Sequence, residues 1–535
     1  MTRRSRFPLC ALVIGLLLGP SPGWAQNGDD PVAAGTPATY VTPDYLRKLP
    51  ELPERMRHRA AKRLALPQAI EAVLRQNLQI ALSQERVVET VAFRSAANAA
   101  FEPLVEMAAG RDRSESPPAT VLEGQVGEVL ERENDFWSLG IAQRLPTGTE
   151  LRLDWRNNRS ESTLGTRLAP EVFGSSLNLG LVQPLLQGFS FSGRIQRAPV
   201  LRAEFASDAA REEARLRAML TVKATEDAYW DLVQSYKVYE VTRRTFGLAE
   251  EQLELTRRQI AAGVLPESDL IGVEGTLAQR QVALVRAETQ IERSADLLRG
   301  LLNLPAAAWD APIVPVDAPS FVHVSVPFDL AFDRALVQRP ELKRVKIDLS
   351  RIALDLEVAR NARWPRLDLR GNVGTVGQDT AYAETLEQVR QATGHQWGIG
   401  VVFSWAPLGV GTRAEIRRLE SVARQNTFDR QGIIVDLRTQ IREALRAIET
   451  AERQLLASAK FRELAERSLD VEQRRFLNDL SSNFIVAQRQ AELAEARLGE
   501  LEALIQHEKA SSDLQLAMGD LLEARHLTFQ VRAGG

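Results

Sequence analysis

WGIGVVFSW, residues 397–405, leads through a short connection into RAEIRRLESVARQNTFDRQGIIVDLRTQIREALRAIETAERQLLASAKFRELAERSLDVEQRRFL, residues 413–477. The first segment alternates with a period of two. Trp397, Ile399, Val401, Phe403 and Trp405 share one face, and Gly398, Gly400 and Ser404 share the other. The second segment has no proline and a single glycine, Gly432. At ~1.5 Å rise per residue, a run of that length predicts a helix of roughly 100 Å. Globular helices average only about three turns, so such a rod belongs to an elongated assembly. Ile434, Leu437, Ile441, Leu445 and Ile448 step by three and four, the spacing of a coiled coil.

The same succession occurs once more upstream. Residues 194–262 have a single proline, Pro199, near their start and one glycine, Gly247, and carry Phe246, Ala249, Leu253, Thr256 and Ile260 at coiled-coil spacing. The strand before them sets Leu177, Leu179 and Leu181 against Asn178 and Gly180. Further strands are predicted at 104–113, 136–145, 151–157 and from 367. In one of these, Leu151, Leu153 and Trp155 oppose Arg152, Asp154 and Arg156. Strands of 7–10 residues with one apolar and one polar face suit a barrel wall between lipid and water. A half-buried soluble sheet has the same period. Trp137, Trp155, Trp397 and Trp405 sit in or at the ends of these strands, which favours a membrane barrel with interfacial aromatics.

Helical periodicity also begins twice, near Leu66 and at Phe328. Ala69 pairs with Ala331, Leu74 with Leu336 and Pro103 with Pro365, at a constant separation of 262 residues, as an internal duplication would leave. Two structural repeats, 64–304 and 328–522, follow, joined by a Pro-rich linker at 305–327 and ending in a tail at 523–535. The rods break at 263–266 and 478–482, and shorter helices return over 268–302 and 483–518, with Ser268, Ser482 or Asn483 as N-caps.

Residues 1–25 combine Arg3, Arg4 and Arg6, the apolar stretch 9–18 and small residues before Ala25, the pattern of a cleaved signal peptide. The one cysteine, Cys10, lies inside it, so the mature chain has no disulfide or thiolate chemistry. Residues 26–63 carry no evident fold and are expected to form a mobile arm. Removing three arginines leaves 64 basic against 70 acidic residues, a net charge of −6 that argues against nucleic-acid binding. No other apolar run reaches transmembrane length, so a closed β-barrel is the membrane-crossing form left to the mature chain.

Reacting constellations are missing from the pattern. His58, His323, His395, His507 and His526 show no metal spacing, and no metalloprotease, nucleophile-elbow or P-loop motif occurs. Gly409-Val-Gly411-Thr-Arg-Ala414 formally fits a dinucleotide fingerprint but runs into the long helix instead of a second parallel strand, so its glycines are read as a turn from strand to rod. Neither a cofactor nor an enzymatic activity is expected.

LPQAIEAVLRQNL (66–78), QPLLQG (183–188), AYWDL (228–232), AGVLPESDL (262–270) and RFLNDLSSNF (475–484) together resemble the TolC-like family of outer-membrane efflux proteins in order, duplication and spacing. The resemblance implies a homotrimer with an outer-membrane barrel continuous with a periplasmic α-helical coiled-coil tunnel. It also implies docking onto a periplasmic adaptor protein and an inner-membrane transporter. The chain departs from the family at Asp479, where glycine is usual, and Asp470 aligns only loosely with the aspartate ring of some members. Gly263, Leu265, Ser268, Asp269, Asp479, Leu480, Ser481 and Ser482, at the rod ends farthest from the strands, are the expected gate and adaptor contacts. A periplasmic coiled-coil scaffold is the competing reading, and small-molecule efflux and type I protein export share the same outer component. Four strands in the first half against two in the second raise the barrel from 12 strands to 18 if all six per protomer enter it.

Overall fold

A computed structural model describes residues 40, 42–57, 60–117, 129–162, 169–478, 480–527 and 529. The expected signal segment and Asp479 lie outside these residues. In chain order the elements are α1 (Asp44–Arg47), β1 (Lys62–Leu64), α2 (Leu66–Gln76), α3 (Leu78–Asn98), β2 (Leu104–Ser116), β3 (Leu130–Arg144), β4 (Glu150–Ser162), β5 (Glu171–Pro184), α4 (Ala198–Ala261) and α5 (Ser268–Leu301). Then follow β6 (Ile313–Pro315), α6 (Phe328–Gln338), α7 (Pro340–Asn361), β7 (Arg366–Asp379), α8 (Tyr382–Arg390), β8 (Gly394–Ser404), α9 (Val410–Leu477), α10 (Asn483–Met518) and α11 (Leu521–Ala524).

The helical run from Leu66 divides at Asn77, which leaves helical conformation and accepts hydrogen bonds from the N–H groups of Gln79 and Ile80, capping α3. The run from Phe328 divides 262 residues later, at Arg339, because Pro340 lacks an N–H and is accommodated at the first position of α7. The long helices are α4, with 64 residues, and α9, with 68. Each turns back on a partner, α5 and α10 respectively.

Ala331 and Ala335 of α6, Leu342 of α7, Leu437, Ile441, Ala444 and Ile448 of α9, and Leu514 and Met518 of α10 form one buried cluster. The small residues let helices approach closely while the leucines and isoleucines fill the seam. In the first half, α4 buries Met219, Tyr229, Leu232 and Tyr236. Buried charges tie α4 to α10 and its surroundings. Glu226 is 1% exposed and receives Arg525 at 2.7 Å, and Lys223 reaches Asp227 at 2.6 Å and Asp513 at 2.9 Å.

Three expectations are corrected. Within 26–63, the stretch from residue 42 is folded: Leu46 and Met56 are buried, Lys237 donates to the carbonyls of Tyr45 and Lys48, and Arg497 lies 5.0 Å over the Tyr45 ring. Three-residue β1 pairs in parallel with β6 of the Pro-rich segment, Lys62 opposite Ile313. That pair is held by hydrogen bonds from Tyr229 to the Leu64 carbonyl and from Tyr236 to the Ile313 carbonyl, both 3.0 Å. Burial pushes the Tyr236 phenol up to about 12, so it stays a donor. Finally, Ser268 is the first residue inside α5, not its cap, which is Glu267.

Candidate functional site

The six strands β2-β3-β4-β5-β7-β8 form one sheet in that order, antiparallel throughout. Register alone carries an apolar row across its full width: Val105, Ile141, Leu153, Leu179, Val373 and Trp397 stand opposite one another on successive strands. The next row on the other face reads Glu106, Gly140, Asp154, Asn178, Gly374 and Gln396. Because side chains alternate between faces, the sheet has one apolar and one polar surface. On the polar surface Arg152 is 3.1 Å from Glu106 and 3.0 Å from Asp154, and Gln396 bonds to Asn178. Glycine is required in this surface: a Cβ at Gly374 would sit 2.6 Å from the Leu177 carbonyl oxygen and also collide with the Asn178 side chain.

The strands run 11–15 residues, longer than the 7–10 expected. The apolar alternation marks only part of each strand. Beyond it, on the same face, come Arg111 and Arg113 of β2, Glu131, Glu133 and Asp135 of β3, and Arg159 and Glu161 of β4. Arg111 donates to Asp135 at 2.9 Å and Arg159 to the same carboxylate at 3.3 Å. Backbone pairing and these cross-strand ion pairs continue the sheet where no hydrophobic period signals it.

Trp137 and Trp155 stand at the change from apolar to charged rows, with ring centroids 4.6 Å apart in a T-shaped contact. Trp397 falls in the apolar row itself, 74% exposed, and Trp405 lies just past the end of β8, at the helical side. Sequence reasoning missed Trp364, exposed just before β7 at the same end as Trp405; its signal was its place beside Pro365. α8, also unforeseen, lies against β5 and β7, with Tyr382 bonded to Asn157 and its ring 5.9 Å from Phe173.

The rod ends come together at one end of the helices. Thr245, Ala249 and Gln252 of α4, Val273 and Thr276 of α5, and Phe484 and Ala487 of α10 line a common groove of about 300 Å³. Gly263 takes φ +71°, and the N–H groups of Gly263 and Val264 bond to the carbonyls of Ile260 and Gln259, both 2.9 Å. That is a Schellman ending, open to a left-handed glycine. Leu265 is half-buried and Ser268 and Asp269 are exposed. In the second turn the Leu480 N–H bonds to the Arg475 carbonyl at 2.9 Å, Ser481 donates to the buried Glu472, and Ser482 is the N-cap of α10. Asp470 is paired with Arg474 at 2.7 Å. Gly409, φ +46°, caps α9 and turns the chain out of β8, so the glycine pattern there serves a turn. Among the described residues no helix is long and apolar enough to cross a membrane, and no group of His, Cys, Asp or Glu side chains could hold a metal ion.

A further surface lies on α9. Phe428, Val435, Phe461, Leu464 and Val471 are 51–66% exposed. At about 100° per residue they fall on one face, opposite the buried row of Leu437, Ile441, Ile448 and Leu455.

Residues 331–520 match the outer membrane efflux protein family. The chain is similar to nodulation protein T of Rhizobium leguminosarum bv. trifolii, 22% identical over 306 residues, covering 54% of this chain and 62% of that one. It thus spans about three fifths of that relative's length. It shares its fold with a membrane protein from Pseudomonas aeruginosa (TM-score 0.62, 18% identity, 85% of this chain and 90% of that one). It shares it likewise with the Campylobacter jejuni CmeC outer membrane channel (TM-score 0.60, 15% identity, 85% and 86%). The expected resemblance to TolC-like proteins holds.

Proposed function

We propose that this chain, whose residues 331–520 belong to the outer membrane efflux protein family, is one protomer of a homotrimeric channel. The channel is the passive exit duct of a tripartite efflux or type I secretion system. The observation that carries this reading is the sheet with an apolar band running across all six strands on one face and a polar face behind it, joined to two helical hairpins built on helices of 64 and 68 residues. In lipid, a sheet must close on itself because each unsatisfied backbone group costs several kcal/mol, and a single open sheet cannot do so. Copies of the chain complete one another's wall. The exposed apolar face of α9 is where a second copy packs in the helical part.

The halves arose by duplication, and the hairpins form the periplasmic tunnel. Its gate is the pair of turns holding Gly263, Leu265, Ser268, Asp269, Asp479, Leu480, Ser481 and Ser482. Two antiparallel helices can shift there with little core to disturb, and the same end meets a periplasmic adaptor and, through it, an inner-membrane transporter. Trp137 and Trp155 face the lipid headgroups at one boundary and Trp405 at the other, with Trp397 facing lipid between them. The test combines native mass spectrometry in detergent with flux through reconstituted protein carrying Leu265→Cys and Leu480→Cys. A trimer whose flux stops on verified disulfide formation and returns on reduction supports the reading. A stable monomer overturns the channel, and flux that persists through a complete crosslink moves the gate elsewhere.

A further inference from the structure

Which strands close the wall follows from the two edges of the sheet. Among the described residues β2 pairs only with β3 and β8 only with β7, so each leaves about a dozen backbone N–H and C=O groups without a strand partner there. Strand order alternates direction, and six is even, so β8 of one copy meets β2 of the next antiparallel. The faces also agree. Val105 and Met107 of β2 share the apolar side with Trp397, Ile399, Val401 and Phe403 of β8, all at least 55% exposed in the protomer. Joining those edges continues the apolar rows without a break.

The chief alternative leaves the β2–β3 hairpin outside the wall, so that β8 would pair with β4. The register speaks against it. β3 matches β2 and β4 over 13 residue pairs each, and Leu139 and Ile141 occupy the same apolar rows as Trp155 and Leu153. Pulling β3 out would break its 13 residue pairs with β4 and strip lipid-level rows of their neighbours.

Resting on the trimeric channel reading, we infer that every protomer contributes all six strands, giving an 18-stranded barrel closed at three β8–β2 seams between copies. With strands ~4.7 Å apart and tilted by ~40°, 18 strands enclose a cylinder about 35 Å across between backbones, against about 24 Å for 12. The added strands also bring Glu106 of β2 to a lumen already lined by Arg152, Asp154 and Arg156 of β4 and by Asn178, Asn372 and Gln396. The exit is therefore wide and zwitterionic, and it selects neither by size nor by charge sign. Selection falls to the helical end.

The experiment uses the full chain in lipid nanodiscs, on a Cys10→Ser background. Val401→Cys in β8 is combined in turn with Val105→Cys, Met107→Cys or Ala109→Cys in β2, and separately with Leu151→Cys or Leu153→Cys in β4. Oxidation is expected to give covalent dimers and trimers from at least one β8–β2 pair and none from the β8–β4 pairs. Crosslinks from β8 to β4, or no crosslink in either set while native mass spectrometry still shows a trimer, overturn the six-strand seam and leave the channel standing. Loss of the trimer in the unmodified protein overturns the channel reading itself. Because paired cysteines can impair folding, an electron-density map of the unmodified trimer counts strands independently: 18 supports the inference and 12 ends it.

Discussion

α4 and α9 occupy the same place in the two halves, 64 and 68 residues long, each entered from a strand and each folded back on a shorter helix. Their surroundings differ. α4 touches α2, α3, α5, α7 and α10 and buries Tyr229, Trp230, Tyr236 and Tyr239 along its middle. α9 touches α6, α7 and α10 and leaves two apolar patches on its opposite face uncovered, Phe428 with Val435 and Phe461 with Leu464 and Val471. Two helices of the same period and length are thus one internal and one external. The internal helix is held by the protomer's own fold, and the external one has a face to give to a neighbouring copy. The strands repeat the contrast: β3, β4, β5 and β7 are paired on both sides, whereas β2 and β8 wait for partners.

The strongest way to break this contrast is to truncate each helix on its characteristic face. Tyr229→Ala removes a fully buried ring and its bonds to Leu64 and Asp317, and should cost about 3–5 kcal/mol in urea unfolding of the detergent-solubilised protein. Phe461→Ser on α9 should change protomer stability by less than about 0.5 kcal/mol while shifting native mass spectra from trimer towards monomer. Equal destabilisation of the protomer by both substitutions would erase the distinction. Next comes Arg525→Ala, which leaves Glu226 buried without its cation and should cost about 3 kcal/mol, measured by the same unfolding. Glu463→Ala, which breaks exposed pairs of α9 with Lys460 and Arg467, should leave the urea unfolding midpoint nearly unchanged. The smallest effects are stabilising. Gly247 and Gly432 lie inside α4 and α9, where an added methyl would meet nothing within 4 Å, so Gly247→Ala and Gly432→Ala should each add about 0.5–1 kcal/mol. A loss at Gly432 alone would mean that the exposed face of α9 is already in close contact with a neighbour.

Several elements are legible in the order of amino acids alone. Gly263 reads as a helix terminator because glycine alone takes a left-handed backbone without penalty, and its φ of +71° follows. The alternation of Leu151, Leu153 and Trp155 with Arg152, Asp154 and Arg156 marks β4 and its two faces. The outer ends of the strands are illegible, because ion pairs such as Arg111 with Asp135 join residues far apart in sequence and leave no period in either strand. Nor can three residues, Lys62–Leu64, announce a strand whose partner lies some 250 positions away. Trp137 and Trp155 stand out singly; that they touch is a consequence of register.

By itself, then, the sequence determined the rods, their turning points, the faces of the strands and the twofold order of elements. All of these are written in local periodicity, proline placement and glycine, which act within a few residues along the chain. Only the tertiary structure decided that residues 42–57 are folded, that six strands lie in one sheet, and that α4 is enclosed while α9 keeps an open apolar face. Those outcomes depend on which distant segments exclude water from one another, and amphipathic patterns of equal period and strength do not specify their partners.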